Sequence, residues 1–223
     1  MLFTEDIKIS SLKSTNLNRL LDTPLIKFRK RERMDGGGWS HLDRDGLIIT
    51  YGLKTDFVDQ ITFLFHELSH FVLASDKDFI LPEWGMGNLP TGLTAFKFAI
   101  DEGNLGAITV DISDNGKHEL NTMTVQFLLY KYCFPEIDER ELSIRVAGHV
   151  DATHRNNNPY TEEIRLFISK LILDNSKNFN ITDILKNLDE KKKKLAAVKG
   201  SSDYYNLVEL HREASHKIGM IEI

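Results

Sequence analysis

The stretch TDFVDQITFLFHELSHFVLA, residues 55–74, decides how this chain folds. Thr55 or Asp56 is suited to cap a helix, because either side chain can accept a hydrogen bond from a backbone N–H of the first turn. The large apolar side chains that follow cover most of the circumference, and a helix with this pattern is central rather than peripheral. They are Phe57, Ile61, Leu64, Phe65, Leu68, Phe71 and Val72. We therefore predict a buried helix that ends at about Ala74.

Composition and charge exclude several classes of protein. The 223 residues are 41% hydrophobic and 27% charged, which suits a folded domain with a real core. A net charge of −5 makes the chain a poor binder of phosphate backbones, so no nucleic-acid partner is expected. No apolar stretch approaches the roughly 20 residues needed to cross a bilayer, and the acidic start MLFTEDIKIS is unlike a signal peptide. We expect a cytoplasmic protein with no membrane partner.

The other patterned segments predict a mixed architecture. Residues 47–51 form a short β-branched run bounded by glycines, and residues 108–112 alternate apolar with polar side chains. Both patterns are typical of strands. A turn is predicted at residues 115–116 and a helix over about residues 118–132, while the chain after Pro135 is interpreted as further helices. The predicted fold class is α+β, with a small sheet packed on the central helix and a helical C-terminal part.

The central helix carries His66-Glu67-Leu68-Ser69-His70, which matches the pattern H-E-x-x-H. Residues four apart lie on the same helix face about one turn apart, so both imidazoles can reach one ion. Glu67 projects from an adjacent side, close enough to orient or deprotonate a bound water. We predict His66 and His70 as metal ligands and Glu67 as the catalytic residue. The competing interpretation is two structural histidines whose spacing is a coincidence.

Two protein ligands leave a metal site incomplete, so a third is expected. We prefer Glu119, which is predicted in the first turn of the next substantial helix, and we expect its carboxylate within about 5 Å of the imidazole nitrogens. Asp76 is the alternative, but Leu73 stands where that arrangement needs a glycine to turn the chain. Glu83 and Glu102 remain as further candidates for the third ligand.

Several other polar residues are weaker candidates. His118, beside the preferred third ligand, is a candidate to support the site. The cluster His149-x-Asp151-x-x-His154 is interpreted as a polar loop, with a patch near the metal or the substrate as the alternative. Cys133 is the only cysteine, so no internal disulfide can form, and its apolar neighbours predict a buried thiol.

Taken in order, these features resemble the elongation factor P hydroxylase family. The similarity covers roughly residues 33–135, and the C-terminal third shows little of it. The H-E-x-x-H pattern alone is moderately specific, whereas its ordered flanking features make the match more specific. The matching segments are the turn at Gly36-Gly37, residues 48–49 and 51–52, residues 66–71, Ala74, residues 81–85, the helix from Glu119 through Gln126 to Leu128, and the break at Phe134-Pro135.

The resemblance implies a zincin-like fold and a metal held by His66, His70 and Glu119, with Glu67 adjacent. It also implies that the metal is iron and that the reaction is hydroxylation of a modified lysine. The expected partner is then a protein substrate, with a translation-related protein as the candidate that the family suggests. Residues 71–73 depart from the family pattern after the second histidine, which bears on the substrate more than on the metal.

The ligand set leaves three functions open. Two histidines and a carboxylate suit Fe²⁺ that activates O₂, and they equally suit catalytic Zn²⁺. With Fe²⁺, the favoured ion, the protein would hydroxylate a protein side chain. With Zn²⁺ it would be a metallopeptidase in which Glu67 takes a proton from the attacking water. The third interpretation is a non-catalytic interaction protein whose metal is structural.

The chain is expected to divide into three units along its length. Residues 1–26 are predicted to form an N-terminal arm. Residues 27–135 contain the proposed ligands and are predicted to form the metal-binding catalytic core. Residues 136–223 are predicted to form a helical region that packs on this core.

Overall fold

A computed structural model describes residues 16–17, 20, 26–31, 38–44, 46–52, 57–73, 96–100, 108–112, 114–153 and 161–217. Most of these residues are helical. The helices are α1 (Phe57–Leu73), α2 (Asp114–Cys133), α3 (Glu139–Thr153), α4 (Thr161–Ser176), α5 (Ile181–Val198) and α6 (Ser202–Lys217). The central helix predicted over residues 55–74 is confirmed as α1.

The extended segments form two separate small pairings. Strands β1 (Ile26–Arg31), β2 (Gly38–Asp43) and β3 (Gly46–Gly52) lie in the order β1-β3-β2, with β1 parallel and β2 antiparallel to β3. Strands β4 (Phe96–Ile100) and β5 (Ile108–Ile112) form an antiparallel pair. Gly46 opens β3 with a φ of 129°, a backbone conformation that a residue with a β-carbon rarely adopts.

The hydrophobic core is built by helices. Every large apolar side chain of α1 from Ile61 to Val72 that the structure describes is at most 3% exposed. Helix α1 packs mainly against α2, and α2 in turn contacts α3 and α4. Leu17 and Leu20, from the predicted N-terminal arm, also lie in this core. The core side chains from the other helices include Met123, Val125, Phe127, Leu129, Leu142, Val146, Ile168, Ile172, Leu188, Leu195 and Tyr204.

The predicted α+β, zincin-like fold, with a sheet packed on the central helix, is wrong, because the described chain is mainly helical. Strands β2 and β3 do contact α1. However, no strand side chain among those described joins the hydrophobic core cluster. The reason is that α1 is apolar around most of its circumference, and the long helices α2 and α5 pack on it alongside the strands, with α2 as its main partner. Helix-on-helix packing therefore organises the core.

Helix α2 begins earlier than predicted. The Asn115-Gly116 pair was interpreted as a turn before a helix starting at about His118, but both residues lie in the first turn of α2. A glycine costs a helix about 1 kcal/mol relative to alanine, and the packing of the apolar residues further along α2 outweighs this cost. Glu119 consequently lies in the second turn rather than in the first. Its charge therefore lies outside the first turn. The first turn is where the helix dipole stabilises a negative charge most.

The structure also shows two features of the C-terminal helices that the sequence did not predict. In the run of four lysines at residues 191–194, Lys191 is buried together with Leu188 and Leu195 on the inner face of α5, whereas Lys193 and Lys194 are exposed. Lys192 donates a hydrogen bond to the backbone carbonyl of Leu20 at 3.0 Å. The polar cluster at residues 149–151 was interpreted as a loop, but it belongs to α3.

Candidate metal centre

Two neighbouring helices bring the three predicted ligands together. His66 and His70 lie four residues apart on α1, so their side chains leave the same face of that helix. Glu119 projects from α2, which packs directly against α1. The three residues form a group whose ligand atoms all lie within 4.8 Å of one another. The expected approach of the Glu119 carboxylate to the imidazoles, within about 5 Å, is therefore confirmed as geometry.

The distances between the ligand atoms suit a single small cation. Nε2 of His66 and Nε2 of His70 are 3.2 Å apart, and the two rings meet edge to face with an interplanar angle of 88°. Each Nε2 lies 3.7 Å from an oxygen of Glu119. Metal bonds of about 2.0–2.1 Å at a tetrahedral angle place two nitrogens roughly 3.4 Å apart and limit any two ligand atoms to roughly 4 Å. The three measured distances lie within these limits, with the two histidines facing different oxygens of Glu119.

The contacts of Gln126 determine which ring nitrogen of His66 carries the proton. The amide nitrogen of Gln126 donates to the backbone carbonyl of Thr62 at 2.9 Å, and a carbonyl can only accept, so this contact fixes which end of the amide is which. The amide oxygen then faces Nδ1 of His66 at 3.1 Å. An oxygen acceptor in this place requires the proton on Nδ1. Nε2 of His66 therefore keeps its lone pair and directs it toward His70 and Glu119.

His70 is held from behind in a similar way. The hydroxyl of Thr122 donates to the carbonyl of His118 at 3.0 Å, so its oxygen is free to accept from Nδ1 of His70, 3.3 Å away. Nε2 of His118 is a second neighbour of the same Nδ1 at 3.2 Å, and the two rings are stacked with centroids 5.3 Å apart. These partners favour a proton on Nδ1 of His70, which leaves its Nε2 as a second lone-pair donor.

The donor set fits a divalent transition metal. Two imidazole lone pairs that face each other at 3.2 Å repel, and an adjacent carboxylate adds negative charge. A cation at the centre of the three groups removes both penalties, because each donor then has a partner of opposite polarity. His66 and Glu119 are only partly buried, whereas His70 is 6% exposed, so the site lies near the surface with its deep side formed by His70.

Glu67 follows His66 in α1 and is buried, with 5% of its surface exposed. It does not belong to the group of three ligand residues, which is the only such group among the described residues. A residue one position further along a helix points about 100° away around the axis, so Glu67 cannot share the direction of His66. Its catalytic role stays a prediction.

The structure tests only some of the other predicted candidates. Asp76, Glu83, Glu102 and His154 lie outside the described residues. His149 and Asp151 lie in α3, and their side chains are not among those described. His118 is close to the site, as the sequence suggested, but it contacts Nδ1 of His70 and so lies behind this ligand rather than beside the metal position.

The roles of Thr122 and Gln126 were not predicted from the sequence. The helical pattern contains a signal for both: together with Glu119 they occupy positions i, i+3 and i+7 of α2, which is one helix face. Thr122 and Gln126 are fully buried, and buried polar side chains need partners. Gln126 had been noted only as part of the family resemblance.

Cys133 is buried at the end of α2, as predicted. Burial raises the pKa of its thiol from 9.0 to about 12, because the thiolate would lose its hydration. Such a thiol is a poor nucleophile at neutral pH, since the thiolate is the reactive form.

Among the described residues, no helix is long and apolar enough to span a membrane. Comparisons with protein-family models, with curated proteins and with solved structures found no match. The resemblance to the elongation factor P hydroxylase family therefore rests on the sequence segments quoted above.

Proposed function

We propose that this protein binds one divalent metal ion through His66, His70 and Glu119 and uses it for catalysis. The observation that carries the proposal is the convergence of two Nε2 atoms, 3.2 Å apart, and one carboxylate, 3.7 Å from each of them. Both imidazoles are held at Nδ1 by groups on α2, so their remaining lone pairs are directed at one point. In a pair of merely structural histidines, two lone pairs would not be expected to face a carboxylate in this way.

The favoured activity is iron- and O₂-dependent hydroxylation of a protein side chain. Two histidines and one carboxylate are the ligand set of many non-haem Fe²⁺ oxygenases. No fourth His, Cys, Asp or Glu joins the group within the part of the chain that the structure describes, which is consistent with open coordination positions. The family resemblance points to the same reaction and to a translation-related protein as substrate. The cytoplasm is the proposed compartment, since the only cysteine is a buried thiol.

Different residues of the chain would have different roles in this reaction. Bound Fe²⁺ would supply open coordination positions and the redox change that lets O₂ react. His66, His70 and Glu119 would hold the ion, and Glu67 would hold or deliver a proton near it. One oxygen atom enters a C–H bond of the substrate and the other leaves as water, which requires two electrons from an external reductant and two protons.

A zinc peptidase is the second candidate, favoured by Glu67, a buried acid that directly follows the ligand His66. His66, His70 and Glu119 would hold Zn²⁺, which would supply a Lewis acid that lowers the pKa of a coordinated water toward about 7. In this activity Glu67 would take the proton of the attacking water and pass it to the amine that leaves. A peptide bond is broken and one water molecule is consumed, with no reductant.

The test begins with metal analysis of protein purified anaerobically. We expect about one metal ion per chain in the wild type and almost none in Glu119→Ala. Ser69→Ala is the matched control: Ser69 is buried in the same helix, beside His70, and its hydroxyl donates to the carbonyl of Phe65. This control should retain the metal. Wild-type protein that binds neither Fe²⁺ nor Zn²⁺ would overturn the proposal.

Activity assays then separate the two enzymes. Fe²⁺-loaded protein is incubated with a cytoplasmic protein extract, ascorbate and ¹⁸O₂, and tryptic peptides are searched for one ¹⁸O atom. Zn²⁺-loaded protein is incubated with a peptide library that is searched for cleavage. Glu67→Gln should abolish whichever activity is found while retaining the metal. A protein that binds metal tightly, unfolds without it and shows neither activity would be the non-catalytic protein of the third interpretation.

A further inference from the structure

We propose that Gln126 is a positioning residue that locks His66 in the tautomer able to bind a metal. The inference rests on the proposed function and extends it to a residue outside the ligand set. Gln126 is fully buried on α2, two turns beyond the ligand Glu119. One helix face would thus supply both a ligand and the group that prepares another ligand.

The orientation of the Gln126 amide determines this role. An amide has a donor end and an acceptor end, and the reversed orientation would place its NH₂ against His66 and its oxygen against the carbonyl of Thr62. Two carbonyl oxygens 2.9 Å apart repel, so the observed contact with Thr62 excludes that orientation. The oxygen of Gln126 therefore accepts from Nδ1 of His66. Thr62 precedes His66 by one helical turn on α1. A backbone carbonyl of α1 therefore fixes the orientation of the Gln126 amide, and this amide in turn fixes the tautomer of His66 on the same helix.

Gln126 is a neutral acceptor, so it adds no charge to the metal ligand His66. A carboxylate in the same place would put a second negative charge beside Glu119 and make the imidazole more basic. The amide fixes the tautomer without adding charge, so the three ligands together carry one negative charge when both histidines are neutral. A divalent ion then keeps a net positive charge with which to polarise a bound molecule.

The test compares wild type, Gln126→Met and Thr124→Val. Methionine has nearly the length of glutamine, but its thioether sulfur is only a weak acceptor and replaces the strong acceptor that His66 faces. Thr124 is the matched control, because it is also buried on α2 and its hydroxyl lies in a hydrogen bond with Asn175 rather than near the site. Two measurements are made: the Zn²⁺ dissociation constant by chelator competition, and the protonation of each His66 ring nitrogen in the metal-free protein by ¹⁵N NMR.

We expect wild type and Thr124→Val to hold the proton on Nδ1 of His66. In Gln126→Met the proton should be shared between the two nitrogens, and Zn²⁺ binding should weaken by about 10- to 100-fold. An unchanged tautomer with unchanged affinity in Gln126→Met would overturn the inference, as would an equal loss in Thr124→Val. A wild type that binds no Zn²⁺ refutes the proposed function instead, and the tautomer comparison in the metal-free proteins still decides the role of Gln126.

Discussion

Replacing Glu119 by glutamine should affect the metal-free and the metal-loaded protein differently. Glutamine keeps the size of the side chain and removes its negative charge, which lies 3.7 Å from Nε2 of both His66 and His70. The side chain is 18% exposed, so in the metal-free protein its carboxylate is partly hydrated. The substitution should then change the free energy of unfolding by about 1 kcal/mol or less, the value of one ordinary hydrogen bond.

The metal-loaded protein should show a much larger difference. Free metal at 100 times the dissociation constant stabilises the folded state by about 2.7 kcal/mol. Each kcal/mol raises the melting temperature of a protein of this size by about 2–4 °C, so the wild type should gain about 5–11 °C. Second-sphere partners are already worth about 10- to 100-fold in affinity, and a direct ligand should be worth at least about 100-fold. At the same free metal concentration, the variant then retains about 0.4 kcal/mol of the metal-dependent stabilisation, which corresponds to a rise of about 1 °C in the melting temperature.

The assay is differential scanning calorimetry with and without Zn²⁺, applied to wild type, Glu119→Gln and Glu190→Gln. Glu190 is the control, because it is an exposed acid whose ion pair with Lys186, at 3.9 Å, lies on the surface of α5. Its variant should show the full metal-dependent shift. An equal shift in Glu119→Gln and wild type would refute the assignment of Glu119 as a ligand. Loss of the shift in Glu190→Gln would mean that the shift reports nonspecific binding.

Three further predictions concern other residues. His70→Ala should lose almost all metal and keep its helical circular dichroism, because the apolar side chains of α1 hold that helix; an unfolded variant would indicate a structural metal. Cys133, whose pKa burial raises to about 12, should stay protonated and react with thiol reagents at pH 8 only after unfolding, so rapid labelling of the native protein would contradict its burial. Phe65→Ala should lower the free energy of unfolding by about 3–5 kcal/mol in urea titrations, whereas Leu166→Ala, at a site 36% exposed, should change it by roughly 0.5 kcal/mol or less. Similar losses in both would contradict the core position of Phe65.

The two histidine ligands could be predicted because their arrangement is local. A four-residue spacing on a helix fixes the relative direction of two side chains whatever surrounds the helix. Glu119 required a further step, since it lies on a different helix. Chemistry supplied that step: a site with two histidines needs a third ligand, and Leu73 made Asp76 the poorer choice. The structure bears out the approach of Glu119, while the identity of the metal and the reaction stay predictions.

Thr122 and Gln126 could not be assigned in the same way. A buried polar side chain needs partners, but its sequence position does not say which atoms will come within hydrogen-bonding distance of it. Gln126 obtains its role from Thr62 and His66, 64 and 60 residues away along the chain. Such contacts depend on how far α2 slides and rotates against α1, and side-chain packing along the whole interface sets this arrangement.

By itself, the sequence determined the buried helix at residues 57–73, the common face of His66 and His70, and the apolar surroundings of Cys133. Each of these follows from neighbours within a few residues, where helix geometry and composition suffice. Only the tertiary structure decided that helices rather than strands form the hydrophobic core around α1, that α2 begins at Asp114 despite Gly116, and that one face of α2 reaches both histidines. Those outcomes depend on the total apolar area that distant segments bury against each other. A pattern of neighbouring residues does not contain this information.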